Sequence, residues 1–282
     1  MQHNKAGVLY VVATPVGNLG DITARALSVL SSVDVVAAED TRHTRKLLSH
    51  HGIDAKLMAL HEHNEAQQSM SLLQQCLAGR QIALVSDAGT PLISDPGQEL
   101  VQKAYELGVN LVSIPGPCAA IAALSVSGLS ADRFVFEGFL PARPARRQKR
   151  LEQLVIEART MVFYEAVHRM PAFLQELVAT FGKDRLATVA RELTKKFETV
   201  VRATLVELSI YFTEHPDQLR GEFVVLVSGT EEQRLHPVLS PKVVLQHLLA
   251  ELPPSKAAAV AAKLLGESKK TLYALALELQ QN

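Results

Sequence analysis

Near the start of the chain, Val8-Leu9-Tyr10-Val11-Val12 runs into Thr14-Pro15-Val16-Gly17-Asn18. A continuous apolar run rich in valine is typical of a strand that is buried on both faces. The segment behind it contains Pro and Gly, which end the strand, and a helical pattern begins after Gly20. The sequence therefore predicts a strand, a tight elbow and a helix, the repeating unit of an α/β fold.

The same arrangement occurs twice more before residue 120. Ile82–Val85 leads into Ser86-Asp87-Ala88-Gly89-Thr90-Pro91, and the run from Val109 to Ile114 leads into Pro115-Gly116-Pro117-Cys118. We name these turns elbow 1 (Thr14–Asn18), elbow 2 (Ser86–Pro91) and elbow 3 (Pro115–Cys118). Loops at the carboxyl ends of strands are where open α/β sheets bind small ligands, because small side chains leave backbone groups accessible. We therefore expect a ligand crevice at the elbows.

Residues 1–120 are predicted to form an N-terminal α/β domain with a mostly parallel sheet, because continuous apolar runs alternate with helix-length segments. The expected strands lie near residues 8–13, 34–38, 56–60, 81–86 and 109–114. A helix is expected after each.

Residues 121–232 are predicted to form a smaller mixed-sheet α/β domain. Strands are expected at 160–164, 185–191, 197–201 and 222–227, and helices at 167–180 and 204–214. Phe197 follows the strand ending at Arg191 too closely for a crossover helix, which favours antiparallel pairing. Phe139-Leu140-Pro141 and the basic run behind it are interpreted as a domain boundary.

Residues 233–282 are predicted to be a helical tail. One helix runs from Pro254 to Leu265, Gly266 ends it, and Ser268 caps a second helix that reaches Gln280. Two helices joined by a turn with Gly are typical of a helix-turn-helix, and the alternative is an appendage that packs on the body or on a partner.

Composition limits the classes of function. Lys plus Arg and Asp plus Glu are equal at 29 each, so the chain does not resemble a protein that coats nucleic acid nonspecifically. No run approaches the roughly 20 apolar residues of a bilayer span, and no secretory signal pattern is present, which predicts a cytoplasmic protein. Cys76 and Cys118 are expected to be free thiols.

None of the elbows matches the glycine patterns that bind dinucleotides or the phosphates of nucleotides. His61 and His63 lack the helical spacing of a zinc protease site, and we interpret them as a polar strand end. The elbows therefore favour a weakly charged ligand of nucleoside size that binds mainly to backbone groups. No metal site is predicted.

Six motifs occur in order over most of the chain. They are Thr14–Leu19, Glu39–Arg42, Ser86–Pro91, Pro115–Pro117, Phe163–Glu165 with His168 and Arg169, and Arg191–Lys195. Together they resemble the tetrapyrrole methylase family. The resemblance implies two α/β domains, a homodimer, and S-adenosylmethionine bound in a cleft between the domains.

Within that family, the motifs and the helical tail are similar to the branch that acts on small-subunit ribosomal RNA. The resemblance implies methyl transfer to the ribose 2′-hydroxyl of a cytidine, position 1402 of 16S rRNA, in the small ribosomal subunit. It implies neither DNA nor a membrane as a partner.

The resemblance also implies the cofactor contacts. They are Pro15, Gly17, Asp87, Gly89, Thr90, Cys118, Ala119, Tyr164, Ala190 and Glu222. The family's first loop is of the Gly-x-Gly type, and this chain has Thr-Pro-Val-Gly-Asn in its place.

A ribose hydroxyl must lose a proton when it is methylated, so we expect a proton acceptor among Glu165, His168 and Glu192. Other roles stay open, because Glu165 and Arg169 have the spacing of a helical ion pair, and Glu192 is close in sequence to two cations.

Eight cations are predicted to contact RNA phosphates. They are Arg42, Arg143, Arg146, Arg147, Lys149, Arg169, Arg191 and Lys195. The alternative for residues 143–150 is a solvated loop and helix start, and the alternative for Glu39–Arg42 is a helix cap. Lys256, Lys263, Lys269 and Lys270 of the tail are further candidates.

Two other functions are compatible with the sequence. One is methyl transfer to a tetrapyrrole or another small molecule. The other is a ligand-sensing regulator that binds nucleic acid through its tail, which would need a more basic recognition helix than Lys269–Tyr273.

Overall fold

Two five-stranded sheets make up the first of two units in the chain. The computed structural model describes residues 7–61, 63–230 and 241–281. The first unit ends at Gly229 and the second begins at Thr230. No helix in these ranges is long and apolar enough to cross a membrane.

The first sheet is entirely parallel, with the strand order β3-β2-β4-β1-β5. Its strands are β1 (Val8–Val12), β2 (Val35–Ala38), β3 (Leu57–Ala59), β4 (Gln81–Val85) and β5 (Asn110–Ile114). Its helices are α1 (Ala24–Ser32), α2 (Thr41–His50), α3 (Glu65–Leu77) and α4 (Gln98–Glu106). All five strand predictions are confirmed.

Both faces of this sheet are covered, which explains why its strands are continuous apolar runs. Ile82 and Leu84 pack into a core with α3 and α4, whereas Ala83 and Val85 pack into a second core with α1 and α2. Successive residues of a strand point to opposite faces, so each face needs its own apolar set.

The second sheet is mixed, with the strand order β6-β7-β10-β8-β9. Its strands are β6 (Phe134–Phe139), β7 (Thr160–Ala166), β8 (Leu186–Arg191), β9 (Thr199–Thr204) and β10 (Glu222–Val227). Its helices are α5 (Ala119–Val126), α6 (Pro144–Gln153), α7 (Met170–Phe181) and α8 (Leu205–Glu214). Strands β8 and β9 pair antiparallel, as predicted.

The interpretation of Phe139–Pro141 as a boundary is wrong, because Phe139 ends a strand of the second sheet. Strand β6 pairs parallel with β7, and its register shifts between Phe136 and Gly138. Helix α6 begins at Pro144, so all of the basic run 143–150 except Arg143 is helical.

Helix α5 follows elbow 3 and packs on the second sheet. Ala120, Ala123 and Leu124 join a buried cluster with Val162, Ala190, Val224 and Leu226 of strands β7, β8 and β10. Small alanine side chains allow this helix to approach the sheet closely. Because elbow 3 follows β5 of the first sheet and leads into α5 on the second, it connects the two sheets.

The second unit contains three helices within its described residues, namely α9 (Pro241–Leu249), α10 (Pro254–Leu265) and α11 (Lys269–Gln281). Gly266 ends α10 with φ of 68°, the left-handed conformation that favours glycine. Buried alanines and leucines of all three helices form one small core. The predicted tail helices are therefore confirmed.

Candidate active site

The three elbows meet at the carboxyl ends of β1, β4 and β5. Thr14 and Gly89 exchange backbone hydrogen bonds of 2.8 and 3.0 Å, which join elbow 1 to elbow 2. The Thr90 hydroxyl donates to the Pro117 carbonyl at 2.9 Å, which joins elbow 2 to elbow 3. The predicted convergence of the elbows is thus present.

A cavity of about 400 Å³ opens where the elbows face the second sheet. That volume lies within the range of roughly 300 to 1,000 Å³ that is usual for small-molecule sites. From the first sheet and elbow 3 it is lined by Val16, Ala88, Gly89, Thr90, Ile93, Ser94, Asp95, Cys118 and Ala119. From the second sheet it is lined by Phe139, Tyr164, Glu165, Ala166, Val167, Gly221, Glu222, Phe223 and Val224.

Tyr164, near the carboxyl end of strand β7, contacts the start of helix α5. Its hydroxyl oxygen accepts a hydrogen bond of 3.1 Å from the Ala120 backbone N–H, at the start of that helix. Phe136 and Phe139 pack edge to face on its ring. Burial raises the pKa of the Tyr164 phenol, so this side chain stays neutral and presents an aromatic surface to the cavity.

Glu165 is a buried carboxylate on the cavity wall, only 2% exposed. Its Oε1 accepts hydrogen bonds from the Ala166 backbone N–H at 2.7 Å and from Arg169 Nε at 2.6 Å. Its Oε2 is buried and has no hydrogen-bond partner among the described residues. A buried polar atom without a partner is costly, which is typical of a site whose ligand supplies the missing hydrogen bond.

Asp95 is a second carboxylate on the wall, and the sequence motifs did not single it out. Burial raises its pKa above the ordinary value of 3.8, and the neighbouring Asp87 acts in the same direction, whereas a hydrogen bond from Ser86 opposes the shift. Two residues just before it, Leu92 and Ser94, have φ of 74° and 69°. This strained loop folds Asp95 back towards elbow 2, where perturbed carboxyl groups indicate functional sites.

The segment Arg191–Lys195 forms a strained loop at the end of β8. Glu192 and Thr194 have φ of 52° and 66°. The Glu192 carboxylate accepts hydrogen bonds from Lys195 Nζ at 2.8 Å and from the Glu222 backbone N–H at 3.2 Å. The Arg191 guanidinium is buried and donates to the carbonyl oxygens of Gln218 and Phe197. These groups hold the loop in place.

The structure brings six of the ten predicted cofactor contacts to the cavity wall. They are Gly89, Thr90, Cys118, Ala119, Tyr164 and Glu222. The other four are not among the residues that line the cavity. Pro15 is buried in elbow 1, and Ala190 is buried under helix α5. Asp87 Oδ1 accepts a hydrogen bond from the Asp40 backbone N–H at 3.0 Å, which connects elbow 2 to the start of α2.

Gly17, the fourth of these, faces the loop after β8. A Cβ atom at this position would lie 2.6 Å from Lys195 Cγ and 2.9 Å from the Leu193 carbonyl oxygen. Only glycine allows elbow 1 to approach the second sheet this closely.

The predicted proton acceptors occupy three different environments. Glu165 lines the cavity, Glu192 is paired in its loop, and His168 is exposed in the turn between β7 and α7.

Several of the predicted phosphate contacts form ion pairs with acidic residues of the chain itself. Arg147 is buried and forms an ion pair of 2.6 Å with Glu176, so its guanidinium is not presented to solvent. Arg169 pairs with Glu165. Arg146 and Lys149 are exposed on α6, and Arg143 is exposed directly before it.

The charge of the cavity wall restricts the ligand. The described lining residues include the carboxylates of Asp95, Glu165 and Glu222 and no Lys, Arg or His. Anionic and aromatic groups together favour a ligand with a cationic centre and a planar ring, and they disfavour a polyphosphate. Among the described residues, no cluster of three or more His, Cys, Asp or Glu side chains is arranged to hold a metal ion.

Comparison with solved structures shows the same fold in three other proteins. Cobalt precorrin-4 methyltransferase CbiF superimposes with a TM-score of 0.60 at 17% identity, over 79% of this chain and 95% of that one. Diphthine synthase gives a TM-score of 0.59 at 16% identity, over 79% and 90%. A uroporphyrin-III C-methyltransferase from Thermus thermophilus, solved in complex with S-adenosylhomocysteine, gives 0.55 at 20% identity, over 79% and 97%.

Sequence comparison gives much closer relatives. Ribosomal RNA small subunit methyltransferase I of Escherichia coli O157:H7 is 50% identical over 277 residues, covering 98% of this chain and 97% of the relative. The protein of the same name from Pseudomonas aeruginosa is 50% identical over 277 residues, covering 98% of both chains.

Two family models match the chain. Residues 242–280 match the model described as RsmI C-terminal HTH domain, within the helical second unit. Residues 8–209 match the model of the tetrapyrrole (corrin/porphyrin) methylases and include most of both sheets. The chain belongs to the tetrapyrrole methylase family.

Proposed function

We propose that this chain is an S-adenosylmethionine-dependent methyltransferase that modifies the ribose 2′-hydroxyl of a cytidine, position 1402 of 16S rRNA, in the small ribosomal subunit. The observation that carries the proposal is the identity of about half of all residues, over almost the whole length, with proteins named ribosomal RNA small subunit methyltransferase I. That match includes the helical second unit.

The cavity fits S-adenosylmethionine in size and in chemistry. The elbows offer backbone groups, Tyr164 and Phe139 offer aromatic surface, and the unpartnered Glu165 Oε2 offers a buried acceptor. The Asp95 carboxylate, on a wall that has no Lys, Arg or His among its described residues, favours a positively charged group over a phosphate. When bound, the cofactor supplies a methyl group activated by a sulfonium.

The chain's own residues must align the acceptor and remove its proton. Backbone groups of the three elbows hold the donor, and alignment of reacting atoms contributes about 7 to 11 kcal/mol in well-oriented reactions. We assign proton acceptance to Glu165 Oε2. Arg169 and the Ala166 N–H occupy Oε1, whereas Oε2 has no hydrogen-bond partner among the described residues.

Glu192 and His168 are less suited to that role. The Glu192 carboxylate already accepts from Lys195 and from the Glu222 backbone. His168 is exposed and is not among the residues that line the cavity. Glu165 combines burial, a place on the wall and an oxygen without a hydrogen-bond partner.

The substrate side of the proposal includes RNA contacts and assembly. The exposed cations Arg143, Arg146 and Lys149 are suited to phosphate contacts. Arg147 is assigned a role in stabilising the fold, because its ion pair with Glu176 keeps its guanidinium buried. The proposal includes a cytoplasmic location and a homodimer, as expected for the family. Sedimentation equilibrium of the purified protein measures the mass of the assembly and so tests the dimer.

Transfer of labelled methyl groups tests the function. The purified protein is incubated with methyl-labelled S-adenosylmethionine and either small ribosomal subunits or tetrapyrrole precursors. We expect label only in 16S rRNA, in a dinucleotide that resists alkali because its 2′-oxygen is methylated. Label in the tetrapyrrole arm would show that the methyl acceptor is a small molecule rather than RNA. No label in either arm would refute the proposal.

A further inference from the structure

Helix α2 presents a cationic stripe that neither the elbows nor the cavity uses. Its residues Thr44, Leu47 and Leu48 are buried against the first sheet. The opposite face exposes Arg42, Arg45, Lys46 and Ser49, which have the i, i+3, i+4, i+7 spacing of one helical face. We call these four residues the α2 stripe; it extends for about 10 Å along the helix.

The charge of the stripe is concentrated and partly unopposed. No acidic residue occurs from Thr41 to Ile53, although the whole chain has a formal net charge of zero. Arg42 pairs with Asp40 at the helix start. Arg45 and Lys46 are exposed and have neither an ion-pair nor a hydrogen-bond partner for their side chains among the described residues. In α6, by contrast, Arg147 and Arg150 are paired with Glu176 and Glu137.

The stripe begins beside the cavity. Helix α2 starts at the carboxyl end of β2, the same edge of the parallel sheet at which the elbows lie. The Asp40 backbone N–H donates to Asp87 Oδ1 at 3.0 Å, and elbow 2 continues with Ala88, Gly89 and Thr90, which line the cavity. A polyanion that reaches the cavity therefore has the stripe within reach.

We propose that the α2 stripe binds backbone phosphates of the RNA that carries the target nucleotide, with Arg45 and Lys46 as its main contacts. This inference rests on the proposed function. A chain without net charge needs local positive patches to attract a polyanion, and each phosphate contact releases counterions, so binding weakens as salt rises. Phosphate binding costs exposed, unpaired cations little free energy, because no internal ion pair must break.

The test compares two double variants that remove the same charge. R45A/K46A removes the centre of the stripe. K56A/R80A removes two exposed cations directly before β3 and β4, at the opposite edge of the same sheet. Binding to small ribosomal subunits and to protein-free 16S rRNA is measured over a range of potassium chloride concentrations, and binding of S-adenosylmethionine is measured by calorimetry.

We expect R45A/K46A to weaken RNA binding roughly tenfold or more at low salt, and to flatten the slope of log K against log salt by about 2. Its cofactor affinity and thermal midpoint should equal those of the wild type. K56A/R80A should match the wild type in every measurement.

Two outcomes would overturn the inference while the wild type still methylates rRNA. One is an R45A/K46A slope equal to that of K56A/R80A. The other is weakened binding to subunits with unchanged binding to protein-free rRNA, which would assign the stripe to a ribosomal protein. Absence of methyl transfer by the wild type would instead refute the proposed function.

Discussion

Glu165 is the residue on which the proposed chemistry depends most. Its two oxygens have different surroundings, since Oε1 accepts two hydrogen bonds and Oε2 has no partner among the described residues. The motif around it made Glu165 a candidate from the sequence, together with His168 and Glu192. Only the three-dimensional arrangement distinguishes them, because the direction of a side chain and the occupation of its atoms depend on residues far apart in the chain.

We predict that Glu165→Gln lowers the rate of methyl transfer by about 10² to 10⁴-fold, the usual contribution of a positioned proton acceptor. Cofactor affinity should change little, because the amide oxygen can still accept from Ala166 and Arg169. Single-turnover kinetics and calorimetry measure the two quantities. Glu157→Gln is the matched control, since Glu157 also pairs with an arginine but does not line the cavity. A Glu165→Gln rate within about threefold of the control would contradict the assignment.

Asp95 gives a prediction about pH. Its pKa in the folded state is raised above 3.8, mainly by burial, so the folded state binds this proton more tightly than the unfolded state does. Its contribution to stability is therefore fully present below pH 3.8 and is lost as the pH rises through the folded pKa. At neutral pH the ionised side chain destabilises the fold.

Replacement of Asp95 by Asn removes that charge. We expect Asp95→Asn to have a higher thermal midpoint than the wild type at pH 7, and the difference to shrink as the pH falls towards 4. Thermal unfolding over this range measures it, and Asp132→Asn, at an exposed position, is the control. A constant or inverted difference would mean that burial of Asp95 is not a source of instability.

At the scale of elements, the sequence predicts most strands because their apolar runs are long and buried. Strands β1 to β5 lie where the pattern places them. Strand β6 was missed, since its pattern is interrupted at Gly138 and several of its side chains are only partly buried. The fold of Leu92–Asp95 was also missed, because positive φ values at non-glycine residues are imposed by tertiary contacts and leave no local signal.

Elbow 1 packs closely against the loop after β8, and Gly17 permits this contact because it has no side chain. We predict that Gly17→Ala lowers the free energy of unfolding by about 1 to 3 kcal/mol, because the new methyl group would overlap Lys195 Cγ and the Leu193 carbonyl. Cofactor affinity should also fall as the elbow shifts. Urea unfolding and calorimetry measure both effects.

The control is Gly20→Ala in the same connection. Its Cβ would have only Asn18 Oδ1 nearby, at 3.3 Å. Equal losses in the two variants would show that backbone freedom, rather than close approach, is what elbow 1 requires.

At the scale of the whole molecule, the distribution of charge separates two kinds of surface. The cavity wall has carboxylates and no cation among its described residues, whereas exposed cations gather on α2 and α6. A net charge of zero concealed this separation at the level of composition. The basic run at 143–150 was visible in the sequence, but its division into exposed and ion-paired arginines depends on Glu137 and Glu176, which are distant in the chain.

Calorimetry with a variant that fills the cavity gives a direct test of whether S-adenosylmethionine binds between the elbows and the second sheet. Ala88 lines the cavity at an exposed position of elbow 2, so Ala88→Trp can obstruct the site without overpacking the core, and Ala145→Trp on α6 is the control. We predict one site per chain in the wild type and the control, and affinity at least about tenfold weaker in Ala88→Trp. No heat with the wild type, or equal affinity in Ala88→Trp, would show that the cofactor does not bind in this cavity.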